Sequence, residues 1–310
     1  MNNIISAFNQ KELLEKTLVR IDGAYAPETI RAYRNDFTKF IRYCHAENLE
    51  ALPADPLTVA SFISHLSENK THSATIRRSI AAIATIHMLN NYPTPTTHSE
   101  VKISVRKMHR AMGRYCRQAN AINRDIVEDM VAATNDTLWG YRDRALLLVA
   151  YDTMCRRSEL VNICVEDIDT QLLDRKNNIH STVIFIGRSK TDQESSGKWL
   201  PISKNASRAI DKWLEVSGIK QGKLFRGIGS AQTLTEGLHS GQVCRIYKRL
   251  ARRAGLEPNF VNHVSGHSMR VGAAQDLLLS GASLPMMMVK GRWSKPDTVM
   301  RYVEKLGIPI

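Results

Sequence analysis

Ser265-Gly266-His267-Ser268-Met269-Arg270-Val271-Gly272-Ala273-Ala274 is followed, one helical hairpin later, by Gly291-Arg292-Trp293-Ser294-Lys295-Pro296-Asp297-Thr298-Val299-Met300-Arg301-Tyr302. In the first stretch His267 and Arg270 are three residues apart, a spacing that puts both on one face of a helix. Val271, Ala274 and Leu278 mark the apolar partner face. No second His or carboxylate stands at ligand spacing, so the pair suits a phosphate better than a metal ion. In the second stretch Val299 and Met300, with Val303 just beyond it, give the Tyr302 helix an apolar side. A lone Tyr in such a helix reads as packing. With Arg, His and Trp as companions it becomes a candidate nucleophile. A phenol ionises near pH 10, must lose its proton to attack phosphorus, and does so more easily beside arginines.

Two further constellations lie upstream. Ala150-Tyr151-Asp152-Thr153-Met154-Cys155-Arg156-Arg157-Ser158-Glu159-Leu160 is an apolar helix end running into two arginines, with Glu159 three residues beyond Arg156. As an exposed ion pair, Arg156 and Glu159 would contribute little. At the mouth of a buried helix, a guanidinium oriented by a carboxylate can hold a phosphate in bidentate fashion. Ile186-Gly187-Arg188-Ser189-Lys190-Thr191 ends a strand ahead of a hairpin. Lys190 there is either a guard against edge pairing or a general acid carried by the hairpin.

Around these motifs the chain reads as two units. Residues 1–117 form a small helical unit. Pro27 opens a helix with Ile30, Phe37, Ile41 and Cys44 at helical spacing, and Pro56 opens another with Val59, Phe62, Ile63 and Leu66. Ser73 is the expected cap of a third, with Ile76, Ile80, Ile83 and His87 on one side. His87 reads as a satisfied core or boundary histidine rather than a ligand. Asn90 to Pro95 is a turn. Lys102, Arg106, Arg110 and Arg114 follow at four-residue intervals, on one stripe of a helix. Residues 101–117 hold six Lys/Arg and no Asp/Glu. A solvated face mixes signs, so an unmixed stripe points to a phosphate backbone beside it. Residues 118–125 read as a linker and 126–310 as a larger unit. Ala145–Ala150 is its buried helix, Ser181–Gly187 a strand, Glu194–Gly197 a turn and Lys198–Ile202 a second strand, with helices from there on.

The 310 residues carry 43 Lys+Arg against 30 Asp+Glu, a net charge of +13, which favours a polyanionic partner. The five cysteines, Cys44, Cys116, Cys155, Cys164 and Cys244, form no C-x-x-C and no zinc spacing, and fit a reduced cytoplasmic setting. Met1 to Ile5 lacks the pattern of a signal peptide, and no apolar run is long enough for a membrane span. No Gly-rich phosphate loop occurs, which disfavours a phosphate-binding metabolic enzyme.

The ordered series Arg156, Lys190, His267-x-x-Arg270, Trp293, Tyr302 resembles the tyrosine recombinase (phage integrase) family, over almost the whole chain. Ala150-Tyr151-Asp152-Thr153, the segment around Lys190, Ser265 to Ala274 and the Trp at 293 look like the Cre recombinase branch. The resemblance implies a mainly α protein: an N-terminal helical, SAM-like core-binding domain and an α+β catalytic domain, mostly helical with a small antiparallel sheet. The two would clamp duplex DNA, with the linker crossing it. Arg156 and Arg270 would hold the scissile phosphate, assisted by His267 and Trp293, and Glu159 would orient the cluster. Tyr302 would attack to give a 3′-phosphotyrosyl link while Lys190 protonates the leaving 5′-hydroxyl. Two such rounds pass through a Holliday junction in a homotetramer on two short inverted-repeat sites, from a protein monomeric when free, with no metal, cofactor or ATP. The biological outcome would be integration, excision or dimer resolution, in a bacterial, phage or plasmid setting, cytoplasmic and associated with the nucleoid when bound.

The same resemblance places Arg31, Arg77 and Arg78 on helices that face DNA, and Gln242 in the segment that reads the major groove, where the Cre residues are not kept. Eight residues follow Tyr302, fewer than the docking tail of Cre-like relatives, so the contact between subunits is expected to be shorter. No arm-binding module is expected before residue 20. Arg157 stands beside Arg156 where the Cre branch is apolar; the spacing to Glu159 favours Arg156 as the inward arginine. Two alternatives stay open: a topoisomerase of the same chemistry, and a sequence-specific DNA-binding protein that has lost catalysis.

Overall fold

A computed structural model describes residues 2–113, 118–174, 179–187 and 197–306, with side chains from residue 10 onward except at 171–174, 179–180 and 305. Lys190, Arg114 and most of the expected turn at 194–197 lie outside the described residues. The chain divides into two compact units, Met1–Arg117 and Gln118–Ile310.

The first unit contains α1 (Asn2–Arg20), α2 (Pro27–Ala46), α3 (Pro56–Glu68), α4 (Ser73–Leu89) and α5 (Ser99–Met112). Pro27 and Pro56 occupy first-turn positions, where a missing N–H costs nothing. Asp55 caps α3 by accepting the Leu57 N–H at 2.7 Å. Leu14 and Leu18 of α1, Phe37 and Phe40 of α2, Phe62 of α3, Ile76 and Ile83 of α4, and Val101 and Met108 of α5 share one core. Ser73 does not cap α4: it is the first helical residue and is buried, and His72 precedes it without a side-chain cap bond. His87 is a core residue as expected. Its Nε2 accepts the Ala54 N–H at 2.9 Å and its Nδ1 donates to the Ile83 carbonyl at 2.7 Å. Burial lowers its pKa and fixes the neutral form, the Ile83 bond opposing. Lys102, Arg106 and Arg110 of the basic stripe lie on α5. α5 ends at Met112, and Gly113 takes φ 72° as its C-cap, a backbone state that glycine adopts at little cost.

In the second unit, α6 (Arg124–Ala132) starts inside the expected linker, because Asn123 caps it by accepting the Ile126 N–H at 3.1 Å. Residues 118–123 are bound into this unit: Asn120 N donates to the His263 carbonyl and Ile122 N to the Ser268 carbonyl. Then come α7 (Leu138–Thr153), α8 (Arg157–Leu160), β1 (Ile168–Asp174), β2 (Ile179–Ile186), β3 (Lys198–Pro201), α9 (Lys204–Ser217), α10 (Ser240–Arg253), α11 (Pro258–Asn262), α12 (Ser268–Leu279), α13 (Leu284–Gly291) and α14 (Pro296–Val303). The strands form one antiparallel sheet in the order β1-β2-β3, with Ile184 opposite both Ile168 and Leu200. α7 is buried on almost every side through Ala145, Leu146, Leu147, Val149 and Ala150. It anchors a core that takes in Trp213, whose Nε1 donates to the Leu224 carbonyl at 2.8 Å. The mainly helical fold with a small antiparallel sheet is the one expected.

α12 is held closely. A Cβ on Gly272 would lie 1.9 Å from the Ile122 carbonyl oxygen, so only glycine lets the segment before α6 lie against this helix. The N-terminal turn of α12 carries His267 and Arg270.

Candidate active site

Met154 ends α7 in the left-handed region, φ 51°. That turn places Arg156, in extended conformation, at the N-cap of α8. Glu159 reaches back to it twice. Oε2 accepts the Arg156 backbone N–H at 2.9 Å and Oε1 accepts Arg156 Nη1 at 2.7 Å. Arg292 supplies a third bond, Nη2 to Glu159 Oε2 at 2.7 Å, and its Nη1 donates to the Thr153 carbonyl at 3.0 Å. Burial alone would raise the Glu159 pKa. The Arg292 charge and the two Arg156 donors outweigh it, and the pKa ends below the ordinary carboxylate value. Arg157 is exposed instead and lies against Gly266, its Cδ 2.9 Å from where a Cβ would stand. Arg156 is therefore the inward arginine.

Arg270 is only 2% exposed. Its Nη1 donates to the Met154 carbonyl at 2.6 Å and its Nη2 to the Gly291 carbonyl. The guanidinium lies 4.6 Å from the centroid of the Trp293 ring, and Trp293 in turn packs on Tyr302 with ring centroids 5.5 Å apart. A cation over an indole face is a favourable pairing. Tyr302 is half-buried on α14, and its backbone carbonyl accepts Gln275 Nε2 at 3.1 Å. His267 sits at the N-cap of α12 with solvent access. Desolvation among packed neighbours, then the charges of Arg270, Arg156 and Arg157, lower its pKa, with Glu159 opposing. Its ring is thus held neutral near pH 7, free to accept a proton.

The electrostatics ask for an anion. Arg156, Arg270 and Arg292 surround one carboxylate. Burial, then repulsion from Arg156 and Arg292, pushes Arg270 down to about 10, while Tyr302 and Glu159 oppose. A phosphate placed among these groups would offset the repulsion.

Arg156, Glu159, His267, Arg270, Trp293 and Tyr302 are thus brought together in one unit, from α8, α12, α14 and the ends beside them. Met300, expected on the apolar side of α14, is exposed; Val299 and Val303 form that side. Lys102, Arg106 and Arg110 project from α5, and Gln242 from the first turn of α10, all exposed. In the first unit Arg77 is exposed and Arg31 pairs with Glu28. Arg78 serves the fold, since its Nε and Nη2 grip the fully buried Asp36 at 2.6 and 3.0 Å. A buried carboxylate requires such a partner. Sequence reasoning assigned nothing to Arg292; its one signal was a cation between Gly291 and Trp293. Among the described residues no cluster of three His, Cys, Asp or Glu could hold a metal ion, and no helix is long and apolar enough to cross a membrane.

Comparison with known proteins gives the class. Residues 120–306 match the phage integrase family, and residues 16–89 match the phage integrase N-terminal SAM-like domain. The chain belongs to the phage integrase family, that of the tyrosine recombinases its motifs resemble. It is 27% identical to an integrase/recombinase xerD homolog of Selenomonas ruminantium, covering 97% of this chain and 88% of that protein. It is 24% identical to recombinase cre of Escherichia phage P1, covering 96% and 89%. Among solved structures, the XerH site-specific recombinase bound to its difH substrate aligns with a TM-score of 0.65 at 15% identity, over 97% of this chain and 86% of that one. A lambda integrase tetramer bound to a Holliday junction aligns with a TM-score of 0.65 at 14% identity, over 96% and 78%. These structures share its fold.

Proposed function

We propose that this chain is a site-specific DNA recombinase that cuts and rejoins duplex DNA through Tyr302. The observation that carries this reading is the stack of Arg270 on Trp293 and Trp293 on Tyr302, beside Arg156. Arg156 and Arg270 hold the non-bridging oxygens of the scissile phosphate and stabilise the charge that builds there. His267, kept neutral by its surroundings, takes the phenolic proton or donates a hydrogen bond to the phosphoryl group. The Tyr302 oxygen forms a bond to phosphorus, the bond to the 5′-oxygen breaks, and the leaving oxygen gains a proton. By family resemblance Lys190 supplies that proton. A 5′-hydroxyl from a partner strand then reverses the step. One phosphodiester is exchanged for a phosphotyrosyl ester and back, so no ATP is required.

The XerH–difH complex and the lambda integrase tetramer on a Holliday junction support duplex DNA as the partner and a tetrameric assembly; short inverted-repeat sites, two per tetramer, and a chain monomeric when free are part of the proposal. Of the side chains expected at DNA, Lys102, Arg106, Arg110 and Arg77 of the first unit and Gln242 of the second are exposed and open to it. Arg31 and Arg78 keep a cationic face toward solvent but are partnered within the fold. Reduced cysteines and a basic surface suit a cytoplasmic, DNA-associated protein.

The test is a suicide substrate. Nicked duplexes carrying inverted repeats, drawn from the DNA flanking this chain's coding region, are incubated with wild type and with Tyr302→Phe in the absence of metal. A covalent adduct on a denaturing gel with wild type alone is the expected result. Retention of DNA by both with an adduct from neither would favour the binding-protein alternative. Adducts on any duplex, without a defined site, would favour the topoisomerase.

A further inference from the structure

We infer that Arg292 is a positioning residue for strand cleavage, one that locks the Arg156–Glu159 pair to the segment carrying Trp293. The inference rests on the recombinase reading above and deepens it.

Arg292 is anchored in two directions. Its side chain is 8% exposed and bridges Glu159 Oε2 at 2.7 Å and the Thr153 carbonyl at 3.0 Å. The other oxygen of Glu159 is taken by Arg156 Nη1. One carboxylate therefore ties two guanidiniums from segments over 130 residues apart, the Arg292–Glu159 bond spanning 133 positions. The backbone of Arg292 is the junction between α13 and Trp293, and the preceding carbonyl, that of Gly291, accepts Arg270 Nη2. A rotation at residue 292 would move the Arg270 acceptor on one side and the Trp293 ring on the other.

The ion pair of Arg292 with Glu159 stabilises the fold, but two features of this arginine carry a cost. Its φ of 53° and ψ of 49° lie in the left-handed region, where a residue with a Cβ is strained and glycine is not. Its Nε is buried with no partner among the described residues, and an unpaired buried donor is a further cost. A residue carrying two such costs beside a reactive cluster points to a role in that cluster. The role visible in the geometry is to fix Glu159, and through it the Arg156 guanidinium, relative to Trp293 and Tyr302. Glu159 faces Arg156, Arg270, Arg292, Cys155 and His267. Of these, Arg292 is the charge that most lowers its pKa.

The experiment compares wild type, Arg292→Gly, Arg292→Lys and Tyr302→Phe on the same nicked duplexes. Single-turnover adduct formation is followed across pH, with DNA affinity and thermal melting measured in parallel. Glycine removes the strain with the guanidinium; lysine keeps a charge but cannot span both acceptors from one compact amine. Expected for Arg292→Gly is an adduct rate lower by about 10- to 100-fold, DNA affinity within about twofold, and an acid limb of the rate profile moved to higher pH as Glu159 loses the charge that most lowers its pKa. Arg292→Lys should keep the acid limb of wild type while losing rate. Should Arg292→Gly not fold, the lysine variant decides: a rate equal to wild type overturns the inference. A glycine variant with the rate and pH profile of wild type overturns it as well, and leaves the recombinase reading intact. Wild type and Tyr302→Phe both without an adduct would overturn that reading, and this inference with it.

Discussion

Arg270 lies with its guanidinium 4.6 Å from the centre of the Trp293 ring while both its Nη atoms are engaged by backbone carbonyls, those of Met154 and Gly291. The arginine is thus fixed at its tip and on its face before any substrate arrives. Little entropy is left to lose when a phosphate binds, the condition under which preorganised charge is most effective.

That fixation makes the fork irreplaceable. Arg270→Lys keeps the charge but cannot meet two carbonyls and an indole face together. Adduct formation should fall about 100- to 1000-fold, with DNA affinity changed much less, as read in a single-turnover gel assay beside a filter-binding titration. A lysine variant at wild-type rate would mean that a point charge suffices.

Gly291 bears on the same stack from below. A Cβ there would come within 2.1 Å of Trp293 Cζ3, so Gly291→Ala must push the indole away. The expected outcome is a rate loss of about 100-fold, the scale of a misplacement near 1 Å, with a changed near-ultraviolet dichroism spectrum.

Glu159 gives a pH dependence of stability with a definite sign. Its folded pKa lies below its unfolded value of about 4.3. As pH falls, the unfolded chain takes up the proton first. Its contribution is therefore complete above about pH 4.3 and fades as pH drops through the folded value. Glu159→Gln should be less stable than wild type by roughly 3 kcal/mol at neutral pH. The gap should narrow in urea melts carried down through that range. A gap that stays constant would show that ionisation of Glu159 contributes nothing.

In the first unit the arginines differ in kind. Removing Arg78 leaves Asp36, which is 0% exposed, without its partner. Because Arg78 itself stands half in solvent, Arg78→Ala should cost about 2 kcal/mol rather than the full cost of a wholly buried pair. Arg77→Ala should change stability by no more than about 0.5 kcal/mol. Equal melting of the two variants would contradict this distinction.

The exposed stripe has its own signature. Lys102, Arg106 and Arg110, all changed to Ala, should leave folding intact and reduce the slope of log affinity against log salt by about 2 to 3, near one unit for each phosphate no longer neutralised. An unaltered slope would place α5 away from the backbone of the DNA.

Much of this is legible in the sequence because it is local. The apolar periodicity of α2 and α3, the apolar run of α7 and the prolines at two helix starts need only neighbouring residues. So does the Arg156–Glu159 spacing, which becomes a real ion pair. What stays hidden is mostly non-local. Asp36 and Arg78 are 42 residues apart, and nothing in either segment announces the pair. Arg292 acquires its meaning from Glu159 and Thr153, far upstream. α1 goes unmarked by any proline or capping signal, although Leu14 and Leu18 fill the core of the first unit. β1 is equally silent, because Ile168-Asp169-Thr170-Gln171 is too polar to declare itself until β2 lies beside it. Where local signals mislead, a single residue intervenes: Asn123 begins a helix within an expected linker.

The grip of Gln275 on the Tyr302 carbonyl has a mechanical consequence. Arg270 and Gln275 ride on the same helix, α12, less than two turns apart. When thermal motion tilts or slides that helix, Arg270 and the backbone of Tyr302 are carried in the same direction. Their separation, the distance on which the proposed reaction depends, varies less than the position of either. Vibration common to both parts cancels, as it does between two instruments bolted to one bench.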